Sequence, residues 1–289
     1  MTPQEYCQQK AAKSGSSFYY SFRFLSEEKR HAIIALYAFC REVDDAVDET
    51  NDASIASTKL SWWREEIQRL FQGSPRHPVT KALQIHLKNY DLIEEYFLEI
   101  IDGMEMDLEQ NQYPHYKDLS LYCYRVASVV GLLTVEIFGY SNRQTLKYAH
   151  ELGMAFQLTN IIRDVYEDAQ RNRIYIPLED LDRFNVDKNA LQIKQTTPNV
   201  IELLKFQKQR ALKHYQNAFD YLPDEDRFNQ RSGIIMAEIY LAILNEIEHD
   251  GFRVLEHRVT ITPLRKLWIA WKVARREKKQ YSIFCQTPT

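Results

Sequence analysis

Two acidic residues lie one helical turn apart in the segment YAFCREVDDAVDE, residues 37–49. A spacing of four residues places Asp44 and Asp48 on the same face of a helix, whereas Asp45 points elsewhere. A like-charged pair at this spacing destabilises a helix by about 0.2–0.5 kcal/mol unless a cation lies over it. The segment therefore predicts either an exposed, solvated face or one side of a cation site.

A second segment, QLTNIIRDVYED at residues 157–168, has the same arrangement. Asn160, Asp164 and Asp168 follow one another at intervals of four residues and so share a face of a helix. In both segments apolar residues lie directly beside the acids, which indicates the wall of a cleft rather than open surface.

An arginine accompanies each acidic row, Arg41 before Asp44 and Arg163 before Asp164. Carboxylate and amide oxygens suit Mg²⁺, which is usually held by one or two carboxylates together with substrate phosphates. The guanidinium group forms paired hydrogen bonds with phosphate oxygens. Acids and arginines beside apolar residues thus predict a site for an apolar chain that ends in a diphosphate. The sequence has neither a P-loop nor a G-x-G-x-x-G turn, so a nucleoside triphosphate or dinucleotide site is poorly supported.

The composition indicates that helices position these segments. Glycine and proline are scarce, at 8 and 9 of 289 residues, and apolar residues recur every three or four positions. The net charge of -3 offers no broad attraction for nucleic acid, so no nucleic-acid partner is expected. The pattern predicts helices at 27–49, 54–72, 78–90, 92–110, 116–138, 142–169, 199–221, 227–250 and 263–279.

No linker rich in proline, glycine or serine divides the chain, so we expect a single domain over residues 1–289. The N-terminus has no apolar signal segment, and no run reaches the roughly 18 apolar residues that a membrane span needs. The cysteines have neither metal-binding nor disulfide spacing, which fits a reducing cytoplasm, and they are Cys7, Cys40, Cys123 and Cys285. We therefore expect a cytoplasmic protein.

The two acidic segments resemble the two aspartate motifs of the squalene/phytoene synthase family, whose members join isoprenyl diphosphates head to head. The resemblance covers nearly the whole chain and is most specific in YAFCREVDDAVDE and QLTNIIRDVYEDAQRNRIYIP. It implies an all-α fold, a single-domain, isoprenoid-synthase-like helical bundle around a central apolar cavity. It also implies two or three Mg²⁺ ions, held together with the substrate diphosphates by Asp44, Asp48, Asn160, Asp164 and Asp168.

The resemblance further implies roles for single residues. The catalytic residues that it implies are Asp44, Asp48, Asp164, Asp168, Tyr37 and Tyr240. The residues that it implies for substrate binding are Ser17, Phe18, Arg41, Tyr122, Val126, Ala127, Gly131, Gln157, Arg163, Arg173, Tyr175 and Arg258. Ser128 stands where the family usually has a third small residue, glycine, beside the substrate.

Within the family, the chain is most similar to bacterial, hopanoid-associated presqualene diphosphate synthases, in SGSSFYYSFRFL, LYAFCREVDDAVDE and the tail PLRKLWIAWKVARR. This similarity implies the Mg²⁺-dependent condensation of two molecules of farnesyl diphosphate to presqualene diphosphate, on the route to squalene and hopanoids. It implies downstream hopanoid-pathway enzymes as partners, and NADPH is not expected for this step. The nearest alternatives are synthases of phytoene, dehydrosqualene or squalene.

Two interpretations from other classes stay open. Glu28–His31 and Glu246–His249 each match the E-x-x-H pattern of a ferritin-like di-iron helical bundle. A non-catalytic helical adaptor would carry the acidic rows simply as exposed faces.

The segment RKLWIAWKVARREKK, residues 265–279, has seven basic residues and one acid, with Trp268 and Trp271 three positions apart. Such a helix can lie on an anionic membrane surface. It can also be a packed last helix with a solvated basic face. The first interpretation predicts a peripheral contact with the inner face of the membrane.

Overall fold

Helices form nearly all the regular structure of the protein. The structure is a computed structural model, and it describes residues 1–13, 21–50 and 52–284. Those residues contain no β-strand, only an isolated bridge between Gln112 and Ile174, so the predicted single-domain, all-α fold is confirmed. The helices are α1 Pro3–Lys13, α2 Glu27–Asp48, α3 Ala53–Phe71, α4 Pro78–His86, α5 Glu94–Glu109, α6 Tyr116–Cys123, α7 Val129–Phe138, α8 Gln144–Arg163, α9 Val165–Gln170, α10 Leu178–Arg183, α11 Pro198–Tyr221, α12 Asp224–Arg227, α13 Arg231–His249 and α14 Pro263–Phe284.

The predicted helices agree with these bounds to within four residues at each end, but α12 was not predicted and there are four further differences. Helix α1 was not predicted, because only Cys7 and Ala11 on it are buried and its apolar pattern is weak. The helix predicted at 142–169 is broken at Asp164, whose backbone (φ −103°, ψ 12°) leaves the helical conformation. The stretch 170–198, predicted as non-helical, contains α10 and a short 3₁₀ turn, Lys188–Gln192. Helix α14 continues five residues beyond its predicted end.

Helix α8 lies in the centre of the bundle. It packs against α7, α11 and α13, and its buried residues occur on every side of the helix. A helix that is apolar all round is a core helix. The second acidic segment is therefore the C-terminal end of a central helix, and its first part is fixed in position by packing.

A π-helical turn, Tyr124–Ser128, joins α6 to α7 without interrupting the helix. Gly153 of α8 faces this turn, and a Cβ atom there would lie 2.5 Å from Cα of Ser128. The close approach thus requires glycine. Ser128 is buried and donates its hydroxyl hydrogen bond to the carbonyl of His150, 2.9 Å away, so its side chain points toward α8.

The helical stretch Tyr116–Phe138 is long and apolar enough to cross a membrane by length and composition, which the sequence analysis did not predict. Half of its most apolar window is buried inside the protein. Val129 and Leu133 on it are fully buried, which is typical of the core helix of a bundle.

Candidate active site

A polar cavity of about 520 Å³ lies between α2, α8, α13 and the start of α14. Its wall includes three arginines, a lysine and an acid, which is an unusual concentration of charge for the interior of a bundle. The polar residues that line it are Tyr37, Arg41, Asp44, Tyr122, Gln157, Asn160, Arg163, Tyr240, Arg258, Thr260 and Lys266.

An apolar cavity of about 220 Å³ adjoins the polar one. The two cavities share the lining residues Tyr37, Cys40, Val126, Gln157 and Asn160. Beyond them the apolar cavity is lined by small and apolar side chains that include Phe22, Ala127, Gly131, Thr134, Phe138, Tyr148 and Phe156. The polar, charged cavity therefore adjoins an apolar one.

The first acidic row lies at the C-terminal end of α2. Arg41 forms an ion pair with Asp44, with 2.6 Å between Nη1 and Oδ2. Burial raises the pKa of Asp44 to about 6; the Arg41 guanidinium opposes this rise, and the charge of Asp48 adds to it. Asp45 does not line the cavity; it pairs with Lys10 of α1 at 2.8 Å and also with Arg41.

The second acidic row begins at the end of α8. Asp164 accepts a hydrogen bond from Nε of Arg163 at 2.8 Å and an ion pair from Arg258 at 2.9 Å. Arg163 also hydrogen-bonds the hydroxyl of Tyr240. Burial raises the pKa of Tyr240, so its phenol stays neutral and acts as a hydrogen-bond donor or acceptor.

Arg173 links the two rows. The residue before it, Asn172, adopts a left-handed backbone (φ 60°), which turns the chain back after α9. Arg173 then donates to Asp48 of the first row, with 2.8 Å between Nη1 and Oδ1. Burial and the charges of Asp164 and Asp107 raise the pKa of Asp168 to about 7, and the charge of Arg173 opposes this rise.

Asp107 is the acid that sequence reasoning missed. Its carboxylate accepts hydrogen bonds from the hydroxyls of Tyr122 (3.0 Å) and Tyr175 (2.8 Å), and the two tyrosine rings are stacked. Burial raises the pKa of Asp107 to about 6, and the charge of Arg173 opposes that rise. The sequence did contain a signal for Asp107, because its position lies on the same face of α5 as Ile100 and Met104, which line the cavity.

Lys266, in the first turn of α14, was also missed. It lines the polar cavity, and burial together with the nearby charges of Arg163 and Arg258 lowers its pKa. The sequence signal for Lys266 was its position on the face of α14 that carries the buried Ala270 and Val273.

The residues at the cavity fit a magnesium ion bound together with phosphate oxygens. Oδ1 of Asn160 is buried without a hydrogen-bond partner and is available to a cation. Across the described residues, no three His, Cys, Asp or Glu side chains are already grouped to hold a metal ion. Mg²⁺ at this site would therefore take one or two carboxylates and complete its coordination with diphosphate oxygens.

The structure brings most of the predicted site residues together around the two cavities. Residues of the prediction that line a cavity are Tyr37, Arg41, Asp44, Tyr122, Val126, Ala127, Gly131, Gln157, Asn160, Arg163, Tyr240 and Arg258. Asp164 and Tyr175 contact wall residues, through the ion pair with Arg258 and a hydrogen bond with Tyr122. Asp48 pairs with Arg173, and Arg173 and Asp168 line a separate small pocket together with Tyr175. Ser17 and Phe18 fall outside the described residues.

The E-x-x-H pairs do not form a metal centre. Glu28 accepts a hydrogen bond from Asn89 at 2.9 Å, and Glu246 forms an ion pair with Arg265 at 2.6 Å. Within the described parts of the chain, neither pair belongs to a metal-binding group of three. The described residues therefore offer no site for the two iron ions of a ferritin-like bundle.

Comparison with known proteins identifies relatives of one kind. The family described as squalene/phytoene synthase matches residues 11–265. A presqualene diphosphate synthase of Sinorhizobium fredii is 37% identical over 264 residues, which are 90% of this chain and 93% of the relative. A phytoene synthase of Arthrospira platensis is 35% identical over 279 residues, 91% of this chain and 89% of the relative. A crystal structure of a dehydrosqualene synthase in complex with a ligand superposes with a TM-score of 0.86 at 29% identity, covering 96% of this chain and 97% of that one.

Proposed function

Since the chain belongs to the squalene/phytoene synthase family and is a prenyltransferase, we propose that it joins two molecules of farnesyl diphosphate head to head and releases presqualene diphosphate and diphosphate. The observation that carries this proposal is the pair of adjoining cavities. The charged one suits diphosphate groups, and the apolar one suits isoprenyl chains. Asp44, Asp48, Asn160, Asp164 and Asp168 are the proposed magnesium ligands.

The first step is ionisation of the allylic C–O bond of one substrate. The positive side chains at the polar cavity, Arg163, Arg258 and Lys266 foremost, stabilise the negative charge that develops on the departing diphosphate. Tyr240 holds the Arg163 guanidinium in place through its hydrogen bond. Bound Mg²⁺ supplies further Lewis-acid stabilisation of the same charge.

The second step forms the carbon–carbon bonds. The C2–C3 double bond of the second substrate attacks the allylic cation, and loss of one proton closes the cyclopropane ring. The released diphosphate is the proposed proton acceptor, assisted by Tyr37 or Tyr240. The step is redox-neutral, so it needs no NADPH.

The apolar cavity has a role of its own, which is to keep water from the cation. Water would quench the cation to an alcohol. Phe22 and Phe156 lie in the wall of the apolar cavity, and Tyr122, stacked on Tyr175, lines the adjoining polar cavity. We assign these aromatic side chains to shielding the cation.

A phytoene or dehydrosqualene synthase is the second candidate, favoured by the Arthrospira relative and by the structural similarity to a dehydrosqualene synthase. The test is mass spectrometry of the lipid formed from farnesyl diphosphate and Mg²⁺ alone, with geranylgeranyl diphosphate in parallel. Presqualene diphosphate from the first substrate is expected. Phytoene from the second substrate, with no product from the first, would contradict the assignment in favour of the longer chain.

Presqualene diphosphate still carries a leaving group and a strained ring. An enzyme that ionises it and reduces the rearranged cation would consume it, on the proposed route to squalene and hopanoids. We propose a cytoplasmic enzyme whose partners are those downstream enzymes.

A further inference from the structure

Helix α14 has a buried face and an exposed apolar face on opposite sides. Its buried residues are Ile269, Ala270, Val273 and Glu277. The residues half a turn away are large and apolar but exposed: Leu264 by 79%, Trp268 by 57% and Trp271 by 53%. Together with Leu267 they recur at three- and four-residue spacing and form one continuous stripe along the helix, which we call the outer stripe.

Cations flank the outer stripe. Lys272 lies 5.0 Å from the ring centre of Trp268, and the guanidinium of Arg275 lies 5.4 Å from that of Trp271. Lys278 and Lys279 follow on the same side of the helix. Among the described residues, no acid forms an ion pair with any of these four cations, whereas Arg276 on the flank pairs with Glu238 and Glu277.

We propose that the outer stripe docks the protein onto the surface of an anionic phospholipid bilayer. Indole rings together with cations suit the boundary between lipid headgroups and acyl chains, where the ring is half in the apolar layer and the cation meets phosphate. The seven basic residues and one acid of α14 stand out on a chain whose net charge is -3, so negative lipid headgroups complement this surface in particular.

A second copy of the chain fits the outer stripe less well. A two-fold symmetric contact through this face would bring Lys272 and Arg275 of both copies into one interface. That arrangement brings like charges together with no acid between them. A lipid surface supplies the opposite charge instead.

Sedimentation of the full-length protein with vesicles tests the proposal without any substrate. Binding to phosphatidylcholine vesicles that contain phosphatidylglycerol is expected, with little binding to pure phosphatidylcholine and a loss at high salt. The double variant Lys272→Glu/Arg275→Glu should bind about tenfold more weakly or worse. Trp268→Gln/Trp271→Gln should lose binding to a similar extent.

Matched controls carry the same changes on other exposed surfaces. Lys59→Glu/Lys81→Glu reverses the same charge, and Ile55→Gln/Ile85→Gln removes exposed apolar groups. Both controls should bind as the unchanged protein does, and circular dichroism checks the fold of all four variants. Equal binding by stripe variants and controls, or no sedimentation of the unchanged protein with anionic vesicles, would overturn the proposal. Turnover in detergent-free buffer separately reports on the proposed function.

Discussion

Arg173 and Asp48 form an ion pair across the site, with 2.8 Å between the guanidinium and the carboxylate. Asp48 belongs to the first acidic segment, and Arg173 follows the second by five residues; the two are 125 residues apart in sequence. The pair holds the chain that follows the second segment against the first, and Asp44 and Asn160 of the two segments line the same cavity. Arg171 makes a second ion pair with Asp48 at 2.9 Å but is far more exposed, 61% against 17% for Arg173.

This contrast predicts different consequences for two similar substitutions. Arg173→Gln should raise KM for farnesyl diphosphate about tenfold or more, because Arg173 is a predicted substrate-binding residue and a charged hydrogen bond to the diphosphate contributes roughly 1.5–3 kcal/mol. Arg171→Gln should change KM by no more than about fivefold, since exposed ion pairs contribute roughly 0–1 kcal/mol. Steady-state kinetics of both variants decides, and equal effects would show that Arg173 has no special role.

Asp44→Asn should lower kcat by about 100-fold or more in the presence of Mg²⁺, since charge stabilisation by a bound metal contributes several kcal/mol. Helical content by circular dichroism should not change, because Asp44 lies at the cavity rather than in the core. Glu202→Gln, an exposed acid paired with Lys205 on the surface, is the control. Full activity of the Asp44 variant would contradict the metal assignment.

The pKa of Asp168 predicts how stability depends on pH. The folded protein holds the proton up to about pH 7, whereas the unfolded carboxyl group loses it near its ordinary pKa of 3.8. Between these values the folded state binds more protons, so the free energy of unfolding falls as pH rises. The variant Asp168→Asn removes this loss.

Without Mg²⁺, Asp168→Asn should match the unchanged protein near about pH 4 and exceed its free energy of unfolding near about pH 8 by up to roughly 4 kcal/mol, since the pKa rises from 3.8 to about 7 and one pKa unit is about 1.4 kcal/mol. Thermal melts at both pH values measure the difference. A variant that is less stable at the higher pH would show that the Asp168 carboxylate is stabilised rather than strained in the fold.

Asp107 should act as a positioning residue for the two tyrosines that it binds. Asp107→Asn should lower kcat about tenfold, with a smaller effect on KM, because the stacked rings lose their charged anchor. Combined with Tyr175→Phe the losses should not add, since interacting residues show coupling of about 0.5–3 kcal/mol. Strict additivity in the double-mutant cycle would indicate that Asp107 and Tyr175 act independently.

The apolar period was sufficient for the long helices, and the spacing of the acids for Asp44 and Asn160, because both are local properties. Most other residues that line the cavities were predicted from the family resemblance. The pairing of Arg173 with Asp48 was not predictable in the same way. It depends on the left-handed turn at Asn172 and on the break of the helix at Asp164, and neither has a clear local signal. Asp107 and Lys266 were missed because each is a single charged residue on an otherwise apolar helix face, a pattern more often explained by an exposed edge.

The π-helical turn between α6 and α7 sets the direction in which the side chains of α7 point relative to those of α6. In a straight α-helix, nine residues correspond to about 2.5 turns, so Tyr122 and Gly131 would point in opposite directions. The turn at Tyr124–Ser128 holds one residue more than an α-helical turn and takes up roughly 100° of that rotation, so both residues reach a cavity. A homologue lacking one residue here could keep the same wall as an ordinary helix, whereas losing a residue elsewhere in the helix would turn half of that wall away.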